Sequence, residues 1–271
     1  SFGRQQYNKK GNIHTSTNVC VKICQTIFIN AHLWKFGQII GVKNKQDFFK
    51  TFLDSFLTVL GKNGTIAINT HSFQVLRHGE KFIHEKTRST SGEFADYIRN
   101  QKGALRSNHP VFSVTAIGKN KKILCLNNSL HNYGYNSPFQ RFLELDGKIL
   151  NLGQDPVFNP FLHIAEFLAG VPYFYNKLTK VNYQKNKKNI NKYFSSSVRY
   201  LNLDIKWRRE INELKINLIK DKILKSKKLS EDYVHLMSAR KYIETAVKLL
   251  SKDQFKFIEF PKFKKDTIPF K

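Results

Sequence analysis

The chain has 271 residues, 41% of them hydrophobic, and 46 Lys and Arg stand against 20 Asp and Glu for a formal net charge of +26. That is enough apolar material for one large globular domain or two small ones, and the charge points to an anionic partner: nucleic acid, a membrane surface or a phosphorylated small molecule. Three cysteines, Cys20, Cys24 and Cys125, exclude a disulfide framework, and without a second ligand pair the Cys20 and Cys24 spacing argues against a zinc site, so no metal is expected.

The elements follow from hydrophobic period. Residues 1–18 are polar and read as an N-terminal lead-in. The stretch 26–37 opens with a short β-rich run and ends in Gly37, and the segment 45–65 carries apolar residues at 48, 49, 52, 53, 56, 57 and 60, a helix stopped by Gly61. A strand over 65–73 completes a strand-helix-strand unit. A helix at 92–103 is opened by Thr90 or Ser91 and closed by Gly103, whereas 121–129 and 148–153 read as buried strands. A helix holding His163 and Glu166 comes next.

Past Tyr175 the composition changes. Residues 171–271 carry 25 Lys and Arg against 10 Asp and Glu. The segment 183–197 reads as a polar, basic loop, 205–229 as a long amphipathic helix, and 230–250 as a second helix capped by Ser230. The predicted fold is α/β, a central mixed β-sheet flanked by helices with a C-terminal helical portion. Its parts are the lead-in at 1–18, a core at 19–182, and a basic loop with helices at 183–271. No apolar run approaches the roughly 18 residues of a membrane span, and no signal peptide precedes the first polar stretch. A cytoplasmic protein with no membrane insertion is expected.

Two basic-aromatic stretches, 182–194 and 255–265, could stack bases and neutralise phosphates, but no recognised nucleic-acid module surrounds them, and a solvated helix face and tail is the favoured explanation. The spacing of His163 and Glu166 places both on one helix face. They are either a surface pair worth about 0.2–0.5 kcal/mol, or an imidazole whose tautomer a carboxylate fixes, leaving the other nitrogen free as a base.

The most specific segment runs from Thr87 to Gly118. Ser91 and Gly92, Arg99 and Gly103, then Arg106, Ser107, His109, Pro110, Ser113, Ala116 and Gly118 follow in the order of R-S-x-H-P-x-x-S-x-x-A-x-G and the residues before it. This resembles the antibiotic N-acetyltransferase family, typified by the aminoglycoside 3-N-acetyltransferases. Residues 133–138 resemble its Y-G-x-x-S-P segment, and 159–173 resemble N-T-x-L-H-x-A-E followed by P-Y. The similarity covers residues 20–175 well and the C-terminal part loosely.

The resemblance implies an acyl-CoA-dependent N-acyltransferase with His163 as general base and Glu166 as its orienting partner, and with Asn159 placed beside them as catalytic. It puts Arg106, Ser107 and Ser113 near the acyl-CoA, with His32 in the loop after the first strand. His71 and Phe158 become candidate acceptor contacts, and His109 is open between ordering its loop and touching a ligand. Two departures bear on the acceptor. Where the drug-modifying enzymes read V-H-S-S-L, this chain has Ile29, Asn30, Ala31, His32 and Leu33, and Phe158 stands where they carry an acidic residue. With +26 overall, a polycation is disfavoured. The expected acceptor is a nucleotide-linked amino sugar of the dTDP-3-amino-3,6-dideoxyhexose kind, on a route to surface polysaccharide, with a donor of the acetyl-CoA or 3-hydroxybutyryl-CoA type. An aminoglycoside acceptor and a non-catalytic nucleic-acid-binding protein are the alternatives; for the enzyme no nucleic-acid partner is expected, and a homodimer is left open.

Overall fold

The computed structural model describes residues 21–200, 206–208 and 210–259. The lead-in at 1–18, Cys20 and the end of the 255–265 stretch lie outside them. The first half contains β1 (Thr26–Ala31), α1 (Lys45–Leu60), β2 (Thr65–Asn69), α2 (Phe73–His78), β3 (Phe82–Ile83), α3 (Glu93–Arg99), β4 (Leu105–Arg106), β5 (Val114–Gly118) and α4 (Lys121–Cys125). There follow α5 (Pro138–Glu144), β6 (Lys148–Leu152), α6 (Pro160–Leu168), β7 (Phe174–Lys185), β8 (Lys188–Arg199), α7 (Ile211–Lys220), β9 (Lys225–Leu229), β10 (Asp232–Ser238) and α8 (Ala239–Leu250).

The main sheet has the order β4-β5-β2-β1-β6-β10-β9. Its middle is parallel, with β1 between β2 and β6, and its flanks are antiparallel. Side chains of a strand alternate between faces, so the buried β1 feeds two cores. Phe28 joins Ile149, Phe161, Leu162, Tyr242 and Leu250 on one side. Ile27 and Ile29 join Phe52, Leu60, Phe94 and Leu150 on the other. Helices on both faces of a parallel centre are the usual way to bury such strands. A second sheet, β3-β7-β8, packs Phe82, Val181, Tyr183 and Phe194 against Val111 and Phe112.

Two motif residues from the sequence have structural explanations here. Ser137 caps α5, its Oγ accepting the Gln140 N–H at 3.2 Å, with Pro138 in the first turn. Gly118 sits at φ 120, where a Cβ would lie 2.2 Å from the Gly64 carbonyl oxygen; only glycine tolerates both.

Five segments depart from the sequence expectations. Residues 121–125 form α4 and not a strand, because a short apolar run carries no period long enough to separate the two. The polar stretch 183–197 is the end of β7, a turn, and most of β8. Asn186 and Lys187 both adopt positive φ (49 and 64), the signature of a two-residue hairpin turn. The long helix expected over 205–229 is α7 followed by β9; residue 205 lies outside the described residues. Ser230, at φ 53, turns the β9–β10 hairpin, and the cap of the last helix is Ser238. The C-terminal portion therefore contributes two strands to the main sheet as well as two helices. α3 is also shorter than expected: Gly92 precedes it and it ends at Arg99. Among the described residues no helix is long and apolar enough to cross a membrane, and no group of His, Cys, Asp and Glu is placed to hold a metal ion.

Candidate active site

β1, β2 and β6 run parallel, so their carboxyl ends open on one edge of the sheet, where open α/β sheets place their ligands. Beyond β6 the chain turns into α6, and Asn159 caps that helix. Its Oδ1 accepts the Phe161 N–H at 2.9 Å, and its Nδ2 donates to the Pro156 carbonyl at 2.9 Å. With both ends of the amide engaged, Asn159 has a structural task.

One turn later, His163 Nδ1 lies 2.8 Å from Glu166 Oε2. The His163 side chain is 41% exposed, whereas Glu166 is completely buried. Glu166 Oε1 accepts from the Tyr173 hydroxyl at 3.0 Å and from Arg199 Nη2 at 2.5 Å. Burial alone would raise the Glu166 pKa, but the hydrogen bond and charge of His163 and the cation of Arg199 outweigh it and hold it below the usual carboxylate range. An ionised Glu166 selects the tautomer with hydrogen on Nδ1, and His163 Nε2 is left with its lone pair.

His71 follows β2. Its ring meets Phe73 and Phe112 edge-on, each at 5.2 Å between centroids. Its Nε2 is enclosed and has no hydrogen-bond partner among the described residues. Burial pushes its pKa down to about 3, with the charges of His109, His163 and Arg106 acting the same way. It is neutral at ordinary pH. Its backbone N–H donates to Ser91 Oγ at 3.0 Å.

Ser91 lines a cleft of about 1000 Å³ that runs along the ends of β1 and β2, with Asn30, His32, Asn44, Asn69 and Gln154 in its wall. The His32 ring stacks on Trp34 at 6.3 Å. Asn44 caps α1 by accepting the Asp47 N–H at 2.9 Å, so the amino end of a 16-residue helix faces the cleft beside Lys43 and Lys45. The Oδ1 of Asn69 is buried and lacks a hydrogen-bond partner among the described residues.

Arg106, Ser107 and Ser113 are brought together, but away from this cleft. Arg106 donates to Ser113 Oγ, to the carbonyls of Thr87 and Thr70 and to Ser72 Oγ at 2.7–2.9 Å, and its guanidinium lies 4.8 Å from the Phe82 ring. Ser107 Oγ accepts the Val114 N–H at 2.9 Å, and Ser113 Oγ donates to the Thr70 carbonyl at 2.6 Å. All three are buried. Their donors are spent inside the protein, locking β5 and the end of β2 together, in place of the cofactor contact expected of them. His109 also faces inward: Nδ1 accepts from the Val111 and Phe112 amides at 3.2 and 3.0 Å, and Nε2 meets the Ser195 carbonyl at 3.1 Å. Burial lowers its pKa to about 4, so His109 orders its loop.

Phe158 is exposed, with its ring edge-on to Trp207 at 5.1 Å. Arg199 and Tyr173, the other partners of Glu166, were not singled out from the sequence. Tyr173 stands in the P-Y pair that ends the α6 motif, whereas Arg199 is 33 residues from Glu166 and carries no local signal.

Residues 28–251 match the family described as Aminoglycoside 3-N-acetyltransferase. Aminoglycoside N(3)-acetyltransferase VII of Streptomyces paromomycinus is 25% identical over 142 residues, 45% of this chain and 49% of that protein. Aminoglycoside N(3)-acetyltransferase III of Pseudomonas aeruginosa is 33% identical over 76 residues, 28% of each. The chain thus aligns with about half or less of the length of these relatives. Among solved structures, sisomicin-bound AAC-VIa superposes with a TM-score of 0.71 at 18% identity, covering 86% of this chain and 93% of that one. AAC-IIIb as a binary complex with CoASH gives 0.71 at 18%, covering 85% and 91%. These structures share the fold, and the family match spans most of the sequence. The chain belongs to the aminoglycoside 3-N-acetyltransferase family.

Proposed function

We propose that the protein transfers an acetyl group from acetyl-CoA to an amino group of an aminoglycoside-type sugar. The observation that carries the reading is the buried Glu166 fixing the ring of the half-exposed His163. The acyl-CoA supplies the thioester. The cleft residues suit such a molecule: the α1 amino terminus with Lys43 favours phosphate, Lys45 in the same wall being paired with Glu93 at 2.6 Å, and Asn69 Oδ1, without a partner among the described residues, can accept an amide N–H. His32 stands in the same wall.

His163 Nε2 removes the proton from the acceptor amine as its nitrogen attacks the thioester carbon. The C–N bond forms, the C–S bond breaks, and the proton held on the imidazole is returned to the departing sulfur. Glu166 stabilises the transient imidazolium and keeps the ring oriented. General-base help of this kind contributes about 10²–10⁴ in rate. His71, neutral and with an Nε2 that has no partner among the described residues, is assigned to the acceptor side in this reading, because its backbone N–H meets Ser91 of the cleft wall. Arg106, Ser107 and Ser113 support that wall from behind.

The two curated relatives are aminoglycoside acetyltransferases, which supports an aminoglycoside acceptor over the nucleotide-linked sugar expected from sequence and favours an acetyl donor. The nucleotide-linked sugar is the second reading, favoured by the exposed Phe158 and Trp207 pair, a surface on which a base or sugar face can stack. A thiol-release assay with acetyl-CoA and a panel of aminoglycosides and nucleotide-linked amino sugars decides between them. Turnover with an aminoglycoside is the expected result. Turnover with nucleotide-linked sugars alone promotes the second reading, and no release with any amine overturns both.

A further inference from the structure

Among the described residues Glu166 receives three donors, and each comes from a different place in the chain. His163 reaches it from the same helix, Tyr173 from the turn after α6, and Arg199 from the end of β8. Among the described residues Tyr133 and Tyr242 are also buried within range of its charge, and Asp253 stands beyond Tyr173. Arg199 is, among the described residues, the cation besides His163 that holds this buried carboxylate ionised. The guanidinium is itself held in place. It lies 4.4 Å from the Trp207 ring and 5.9 Å from that of Tyr173, contacts that favour a planar cation over a flexible ammonium.

We propose that Arg199 is a positioning residue for transfer, acting through Glu166: it occupies Oε1, so that Oε2 is left for the Nδ1–H of His163 and Nε2 points its lone pair at the acceptor amine. The proposal rests on the acetyltransfer reading for its catalytic consequence, but its electrostatic part belongs to the folded protein alone. With Arg199 present, the pair His163–Glu166 sits beside a fixed positive charge and gives up its proton more readily. Without that charge the pair holds its proton to higher pH, whichever of the two groups carries it.

Two readouts test this. The first is an NMR titration of the His163 ring in protein without substrate, comparing wild type, Arg199→Lys and Arg199→Met. The expected result is a midpoint about one pH unit higher in Arg199→Met, as loss of a neighbouring cation demands, and little change in Arg199→Lys. The second is the pH profile of kcat/KM. Its acidic limb should move in the same direction in Arg199→Met, with kcat reduced and KM for acetyl-CoA unchanged. Because Arg199→Met leaves Glu166 buried with one partner fewer, the double variant Arg199→Met with Glu166→Gln removes both charges together. If Arg199 acts through Glu166, adding Arg199→Met to Glu166→Gln causes no further loss in rate and no further shift of the profile. An unshifted midpoint in folded Arg199→Met, or full additivity in the double variant, overturns the proposal. A shifted midpoint in a protein that acetylates no amine overturns the functional reading and leaves the electrostatic role of Arg199 standing.

Discussion

Asn159 and Glu166 stand seven residues apart beside the same base and do different work. Asn159 holds the first turn of α6 by its side-chain cap, so Asn159→Ala should lower stability by about 0.5–2 kcal/mol, while Asn159→Asp, which keeps the cap acceptor but loses the donor to the Pro156 carbonyl, recovers only part of it. Thermal melts alongside transfer rates check this, and a large loss of kcat with unchanged melting would return Asn159 to the chemistry. Glu166→Gln keeps the shape but removes the charge that stabilises the imidazolium. Its kcat should fall, by less than the roughly 10²–10⁴ that loss of the base costs. Sequence made the His163–Glu166 pair legible because three residues on a helix suffice to bring the groups together. Arg199 was not legible, because its contact is made by the end of a distant strand. Arg106 shows the opposite error: a motif arginine suggests a ligand, and only the fold reveals that protein carbonyls and hydroxyls already use its donors.

At the scale of elements, periodic segments were read well and polar ones poorly. α1 and β6 announce themselves because their apolar residues are spaced for one buried stripe or a continuous run. β7 and β8 conceal themselves because Lys and Asn fill the exposed positions near the tip, leaving Val181, Tyr183 and Phe194 as the inward residues. Their turn also lacks glycine: Lys187 adopts φ 64, a conformation costing an ordinary residue about 1–2 kcal/mol. Lys187→Gly should therefore raise the melting temperature by about 2–4 °C for each kcal/mol relieved, and Lys187→Val should lower it. Equal melting temperatures in all three proteins would contradict the turn described here. The hairpin matters for the site because Arg199 is the last residue of β8.

For the whole molecule, charge and burial give a pH dependence with a definite sign. His109 is buried and His71 and His84 are partly buried, and desolvation lowers the pKa values of His71, His84 and His109 to about 3, 4 and 4 from the ordinary 6.5. The unfolded chain therefore binds more protons than the folded one between these limits. The stability these neutral rings contribute is full above pH 6.5 and is lost as pH falls through their folded values, each with a slope approaching about 1.4 kcal/mol per pH unit. Melting temperatures taken from pH 7 to pH 4 should fall steeply, and His109→Asn should flatten the curve; a flat wild-type curve would show that these rings titrate normally. The central claim is that His163 removes the acceptor's proton in an acetyl transfer. The measurement that tests it most directly is thiol release from acetyl-CoA with an aminoglycoside acceptor, by wild type and by His163→Ala, with CoA binding measured calorimetrically on both. The expected result is a rate reduced by about 10² or more in the variant, with CoA affinity and melting temperature unchanged. A variant that retains more than about a tenth of the wild-type rate, short of the loss that removing a general base causes, would contradict the account.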